Sequence, residues 1–405
     1  MPLSRRLFLQ SAALLAPLSR SLFATDRPAA SSAAAPLPEG AFTAFPTENV
    51  APASHTAVRK SEPSLVSLKD GTVLLAYATH TGHSDNDPAP IVARQLSASG
   101  LPMTEERIIV PPPPGGFNAM SPALRRLPDG RIGMLFSYRQ STTEASRRFT
   151  ASSDEGATWS PPVIVAGGQY KTGCHDRFTV HSSGRLLAPC HCTDDWNGHY
   201  LHVRVARSDD AGATWTLGEP IRLPQVHWPA NSGHSVMIES GCIEPGTVER
   251  ADGSVLMTIR TAMGTQFKSE SFDRGETWSA PHSMEVISPV APAHLSRLPG
   301  SDHLLLLWNA DYDPNAPLEG ERHTIMSCVS TDGGRSWPLA RRKLLYHDLE
   351  RSVDYPTVLY RGDTAWITLR ISTGESPVNK AFHHTARVLE GLTSTHLMKV
   401  PVTWF

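Results

Sequence analysis

The sequence predicts an all-β chain, a six-bladed β-propeller of four-stranded blades, and three observations carry that expectation. First, the pattern Ser-x-Asp-x-Gly-x-Thr/Ser-Trp occurs at Ser152–Trp159, Ser208–Trp215, Ser271–Trp278 and Ser330–Trp337. Its aspartates, Asp154, Asp210, Asp273 and Asp332, are 56, 63 and 59 residues apart, the mark of one supersecondary unit used repeatedly. Second, pairs of short alternating runs meet at tight turns around Gly71, Gly130, Gly184, Gly253, Gly300 and Gly362, which is hairpin patterning. Third, no long stretch shows helical periodicity.

The box is a fold signal and carries no chemistry. Its Asp can accept hydrogen bonds from backbone N–H groups of its own turn, its Gly permits a positive φ, and its Trp staples the turn to the core. Each unit then reads strand, turn, strand, third strand, box, fourth strand, and radial repetition of such sheets makes a propeller. In the first blade the box has decayed to Ser97–Gly100. The last blade is expected to end near Leu392 without a fourth strand. Residues around Phe42–Asn49 are expected to supply it and close the ring.

With 37 Lys+Arg against 39 Asp+Glu, bulk charge gives no grip on nucleic acid or an anionic membrane. No apolar run of ~18 residues follows the N-terminus, so no membrane span is expected. Arg5-Arg6 with Phe8 and Leu9, before the mild apolar run Ser11–Leu18, resembles a bacterial twin-arginine export signal. Residues 1–38 are thus expected to be signal peptide and disordered Ala/Ser/Pro linker. Residues 39–405 would form the propeller, exported to the periplasm or beyond. Five cysteines leave at least one thiol free. Buried thiols are the expectation, with a Cys174–Cys190 disulfide or a metal site at Cys190-His191-Cys192 as alternatives.

In a propeller, residues entering the first strand of each blade and leaving the second crowd one mouth of the channel. That reading collects Arg59, Glu62, His80, Asp85 and Asp87 from the first blade. The second gives Asn118, Ser121, Tyr138 and Arg139, and the third His175, Asp176, Arg177 and His191. Glu244 and Arg260 come from the fourth, His294, Asn309 and Arg322 from the fifth, and Asp354, Tyr355 and Arg370 from the sixth. Ionisable groups converging in a cleft mark a site for polar small molecules.

The boxes, the six blades and these mouth residues resemble the sialidase (neuraminidase) superfamily over nearly the whole chain after residue 38. The resemblance implies a Tyr nucleophile, Tyr355, with Glu244 as its base. It implies Asp85 or Asp87 as acid/base on a loop, and Arg260 and Arg322 as carboxylate-binding arginines. Such a scheme needs neither cofactor nor metal, and its partner is a glycan or glycoconjugate. A phenol is a poor nucleophile at its free pKa of about 10, so it requires a carboxylate to take its proton. An acid on a loop can protonate the leaving oxygen and then activate water, giving retention.

One departure stands out. The family's first arginine precedes a Pro by two residues, and here Ser61-Glu62-Pro63 puts Ser61 there. Arg59 lies two residues earlier, about 6–7 Å along the strand. The acid that should hold that arginine is also missing, since Ile367–Ile371 offers Arg370 instead. A charge-swapped Glu62–Arg370 pair is expected in its place. His175-Asp176-Arg177, outside the family scheme, is expected either to touch the sugar or to cap a turn. The leading expectation is an exported exo-α-sialidase-type glycoside hydrolase acting on a terminal acidic sugar. The alternatives are a silent glycan- or protein-binding propeller, or a polysaccharide-degrading enzyme of other chemistry.

Overall fold

A computed structural model describes residues 38, 40–195, 201–223, 241–311, 322–373 and 391–405. The predicted export signal lies outside them. Within Pro38–Phe405, one compact unit, strands dominate, with only two short 3-10 turns among the described residues.

The strands follow one another as antiparallel meanders. The first is Arg59–Ser67, Val73–His80, Ile91–Leu96 and Arg107–Val110. Asn118–Arg126, Ile132–Arg139, Ala145–Ser152 and Val163–Ala166 make the second. The third has a broken first strand, Tyr170–Thr172 and Thr179–Val180, then Leu186–Thr193, His202–Ser208 and Thr216–Leu217. Ile243–Glu249, Val255–Arg260, Thr265–Ser271 and His282–Ile287 form the fourth, and His294–Arg297, Leu304–Asn309, Thr324–Ser330 and Lys343–His347 the fifth. The sixth comprises Arg351–Arg361, Thr364–Thr373 and Thr393–Pro401. Contrary to expectation it does not end near Leu392, because Thr393–Pro401 is its third strand. Its fourth strand is Thr47–Ala51, in register with Thr395–Met398. Phe42–Thr43 instead pairs with the fifth meander.

Side-chain alternation explains how these sheets pack. Leu304 and Leu306 face a cluster shared with the fourth meander, while Leu305 and Leu307 face one shared with the sixth. The second strand of a meander is thus covered on both faces and reads as continuous apolar sequence. The fourth strand His282–Ile287 is exposed on alternate residues instead. Comparable clusters join the first meander to the second, the second to the third and the third to the fourth. A further cluster joins Leu359, Trp366 and Leu397 of the sixth to Leu65, Leu75 and Tyr77 of the first.

The boxes form the turn between third and fourth strands. Thr158 N–H donates to Asp154 Oδ1 at 2.8 Å and Thr214 N–H to Asp210 Oδ1 at 2.9 Å, with Asp273 and Asp332 making the same bond. Trp159, Trp215, Trp278 and Trp337 each pack into the cluster shared with the preceding meander. Gly212 shows why the box needs glycine: its φ is +91°, and a Cβ would lie 2.2 Å from the Phe149 ring.

Candidate active site

Four first strands break their pairing at an X-Pro step. Register shifts fall between Ser61 and Ser64, Met120 and Ala123, Ile243 and Gly246, and Asp354 and Thr357. The intervening residues are Glu62-Pro63, Ser121-Pro122, Glu244-Pro245 and Tyr355-Pro356. Proline lacks the N–H that a ladder needs and keeps the residue before it out of the right-handed helical region, so the strand bulges there. Glu62, Ser121, Glu244 and Tyr355 hold φ of 61°, 56°, 46° and 52°. Asp176, φ 53°, occupies the break in the third meander's first strand. Non-glycine residues held at positive φ cost roughly 1–3 kcal/mol each and cluster where side chains must be aimed.

Two of these bulges meet. Tyr355 Oη donates to Glu244 Oε1 at 3.0 Å, across 111 residues of sequence. Arg260, paired with Ile243 on the neighbouring strand, donates from Nη1 to Glu244 Oε2 at 2.5 Å. Burial raises the Tyr355 phenol well above its ordinary pKa, and the Glu244 charge adds to this, so the phenol is neutral. Burial would raise Glu244 too, but the Arg260 guanidinium outweighs it and keeps the carboxylate ionised. The result is a neutral phenol hydrogen-bonded to a charged base.

Asp354, next to Tyr355, holds two more guanidinia. Arg322 Nη1 lies 2.7 Å from Oδ2 and Arg370 Nε 2.5 Å from Oδ1, and Arg370 Nη2 also bonds Oδ2. Both cations lie over the Tyr355 ring, 4.4 Å away for Arg370 and 5.7 Å for Arg322. This corrects the expected Glu62–Arg370 pair. Arg370 takes Asp354 bidentately from the paired strand, whereas Glu62 Oε2 accepts the N–H and Oγ–H of Ser121, both at 2.8 Å. Glu62 still feels Arg370 electrostatically. Burial, with the charge of Asp85, raises Glu62 to about 7.

Asp85 and Asp87 do different things. Asp85 Oδ1 accepts from Arg59 Nη1 at 2.6 Å with its side chain 53% exposed. Desolvation would raise Asp85, but Arg59 and then Arg139 bring it well below the usual carboxylate range. Asp87 caps its own loop by accepting the Ser84 N–H at 2.7 Å. Asn118 Nδ2 fixes that loop by donating to the Asp85 and Asp87 carbonyls.

His175-Asp176-Arg177 divides. His175 Nε2 lies 3.3 Å from the Tyr355 carbonyl, the two rings are 5.1 Å apart, and burial holds the imidazole neutral. Asp176 and Arg177 are not brought to the Tyr355–Glu244 pair. Asp176 accepts from Ser64 and Arg125, tying three meanders together, and Arg177 donates to the Ala293 carbonyl beside His294. His191 Nδ1 accepts the Glu244 N–H at 3.3 Å. His80 is buried, and Asn309 binds the Thr324 and Val353 carbonyls. Arg139 lies 5.4 Å from the Tyr170 ring centroid, while Tyr138 packs on Phe136. All five cysteines are free and buried, which overturns the Cys174–Cys190 disulfide. Cys190 and Cys192 share a strand face, 3.4 Å apart, but among the described residues no His/Cys/Asp/Glu group has metal-binding geometry.

Sequence reasoning placed Glu62, Ser121, Asp176, Glu244 and Tyr355 at the mouth without seeing that they share one backbone device. The recurring X-Pro step was the available signal. The clamp role of Asp354 carried no such signal.

Residues 104–367, more than half of the chain, match the family model for the BNR repeat-like domain. The chain belongs to this family. The BNR-repeat chain is also 25% identical over 376 residues to a sialidase of Micromonospora viridifaciens, covering 81% of itself and 53% of that relative. It therefore spans about half that relative's length. Its fold resembles the NanB sialidase of Streptococcus pneumoniae, with TM-score 0.66, 12% identity and 88% and 71% of the two chains covered. It likewise resembles the intramolecular trans-sialidase of Ruminococcus gnavus, with TM-score 0.63, 14% identity and 88% and 97% covered. A protein of unknown function from Dyadobacter fermentans matches with TM-score 0.66 and 16% identity over 90% and 99% of the chains. The BNR-repeat chain is thus sialidase-like in sequence and in fold.

Proposed function

We propose that this BNR-repeat protein is an exported, retaining exo-glycoside hydrolase of sialidase type, built as a closed six-bladed propeller. The ring is supported by the apolar clusters that join each meander to the next and the sixth to the first. A cavity lined by Leu65, Leu124, Val180, Val248, Leu295 and Leu359, one from each first strand, supports a shared axis.

The observation that carries the activity is the 3.0 Å bond from Tyr355 Oη to Glu244 Oε1. In the proposed reaction Tyr355 Oη attacks the anomeric carbon while its proton passes to Glu244. Arg260 keeps Glu244 charged and aimed. Arg322 and Arg370, over the ring, stabilise the negative charge that develops on the phenol oxygen. Asp85, on the exposed loop, is held ionised by Arg59, so it serves as the acid only once substrate has displaced that guanidinium and the carboxyl has taken up a proton, which it then donates to the leaving oxygen; Asp87 shapes that loop. Deprotonated Asp85 then takes a proton from water, whose oxygen displaces Tyr355 from the anomeric carbon as Glu244 returns the phenol proton. Two displacements give net retention.

The test is a screen of activated aryl glycosides with wild type and Tyr355→Phe. Tyr355→Phe is expected to lose about 10²-fold or more in turnover with unchanged thermal unfolding. Equal turnover by the two proteins would remove Tyr355 as nucleophile, and no turnover of any glycoside by wild type would leave a binding module. For export, Arg5→Lys with Arg6→Lys is expected to retain precursor in the cytoplasm, and unimpaired export would refute the twin-arginine reading.

A further inference from the structure

Four guanidinia near the Tyr355 site, those of Arg59, Arg260, Arg322 and Arg370, already carry carboxylates of the protein. Asp354, 1% exposed, sits between Arg322 and Arg370 and accepts three hydrogen bonds from them. Arg260 is bonded to Glu244, and Arg59 to Asp85. Arg139 stacks against Tyr170 and lies within electrostatic range of Asp85. Where the resemblance expects an arginine, buried Ser61 has a hydroxyl with no hydrogen-bond partner among the described residues. Its neighbour Glu62 adds a carboxylate whose Oε2 is bonded to Ser121, while Oε1 has no hydrogen bond among the described residues.

We propose that this site takes a terminal sugar without a carboxylate, a neutral polyhydroxylated ring, with Asp354 filling from within the protein the place a substrate carboxylate would occupy. The inference rests on the proposed function only in that a sugar binds beside Tyr355. The chemistry follows from unfilled valences. Arg322, Arg370 and Arg260 already form charge-assisted bonds in fixed fork geometry, and a substrate anion seeking the places that Asp354 and Glu244 fill would have to displace them. Displacement would bury an uncompensated carboxylate, which is costly. A sugar hydroxyl, by contrast, is a donor that Glu62 Oε1 can accept. An anionic substrate would gain little from these guanidinia, because Glu244 and Asp354 already offset much of their charge.

The experiment uses pairs of 4-nitrophenyl glycosides that differ at the carboxylate position: galactoside against galacturonide, glucoside against glucuronide, and sialoside methyl ester against sialoside. Turnover is measured for each, and binding by calorimetry where no turnover occurs. Wild type is expected to favour the neutral member by about tenfold or more in every pair to which it responds. Asp354→Asn frees two guanidinia and is expected to move each ratio towards the acid by about tenfold or more. Preference of wild type for the acid in any pair overturns the proposal, as does binding of no neutral member. An unchanged ratio in folded Asp354→Asn overturns it too, and if that variant does not fold the wild-type ratios alone decide. Neutral sugars bound without turnover would defeat the hydrolase reading and leave this inference standing.

Discussion

The box turns and the strand bulges are both repeated devices, and they repeat in opposite ways. In the boxes the sequence recurs: Asp154, Asp210, Asp273 and Asp332 each accept the N–H four residues on. In the bulges the backbone recurs, at φ between 46° and 61°, with a proline following in four of the five, while the aimed side chains are Glu62, Ser121, Asp176, Glu244 and Tyr355. A side chain whose partner is its own backbone is fixed by local geometry, so every copy requires the same residue. A side chain aimed away from the backbone by that geometry is free to differ between copies, and differing is what assembles an acid, a hydroxyl and a phenol in one place. Within one chain, uniform repetition marks scaffold and varied repetition marks site.

The comparison predicts opposite mutational signatures. Glu244→Gln in a bulge is expected to cost about 10²-fold in turnover with little change in stability, since it keeps shape and removes the base. A stability loss with turnover retained would place Glu244 among the scaffold residues. Glu62→Gln tests whether bulges cost stability. With its folded pKa raised to about 7 from a model value of 4.5, folding takes up a proton between those values. The Glu62 contribution is therefore fully present below pH 4.5 and is lost as pH rises through 7. Glu62→Gln should match wild type near pH 4 and exceed its stability by roughly 2–4 kcal/mol above pH 7 in denaturant titrations. A difference that does not vary with pH would contradict this. Asp210→Ala, in a box, should lose about 1–2 kcal/mol with kcat and KM unchanged. Altered kinetics in that variant would blur the distinction between the two devices.

Legibility followed the same division. Boxes and hairpin turns were readable because every interaction in them spans a few residues. The sixth meander is legible in part: a fourth strand from around Phe42–Asn49 is expected and Thr47–Ala51 supplies it, but the blade is expected to end near Leu392, before its third strand Thr393–Pro401. Tyr355 and Glu244 enter first strands and Arg260 leaves a second strand, which with the resemblance puts them at one mouth, and the structure brings them within hydrogen-bonding distance. Arg370 was assigned to Glu62, when an acid in register on the adjacent strand, Asp354, holds it. That choice depends on which face of a bulged strand each residue takes, and a bulge resets the alternation from which faces are read. Asp176 and Arg177, expected either to touch the sugar or to cap a turn, are held by Ser64, Arg125 and the Ala293 carbonyl, partners distant in sequence.

The central claim is that Tyr355 and Glu244 act as one reacting pair, and a double-mutant cycle tests it most directly. Turnover of the best aryl glycoside would be measured for wild type, Tyr355→Phe, Glu244→Gln and the double variant. If phenol and base share one proton-coupled step, the double variant should be no slower than either single variant by more than a few-fold, far from the product of the two losses. Losses that multiply to about 10⁴-fold or more would show independent roles and contradict the account.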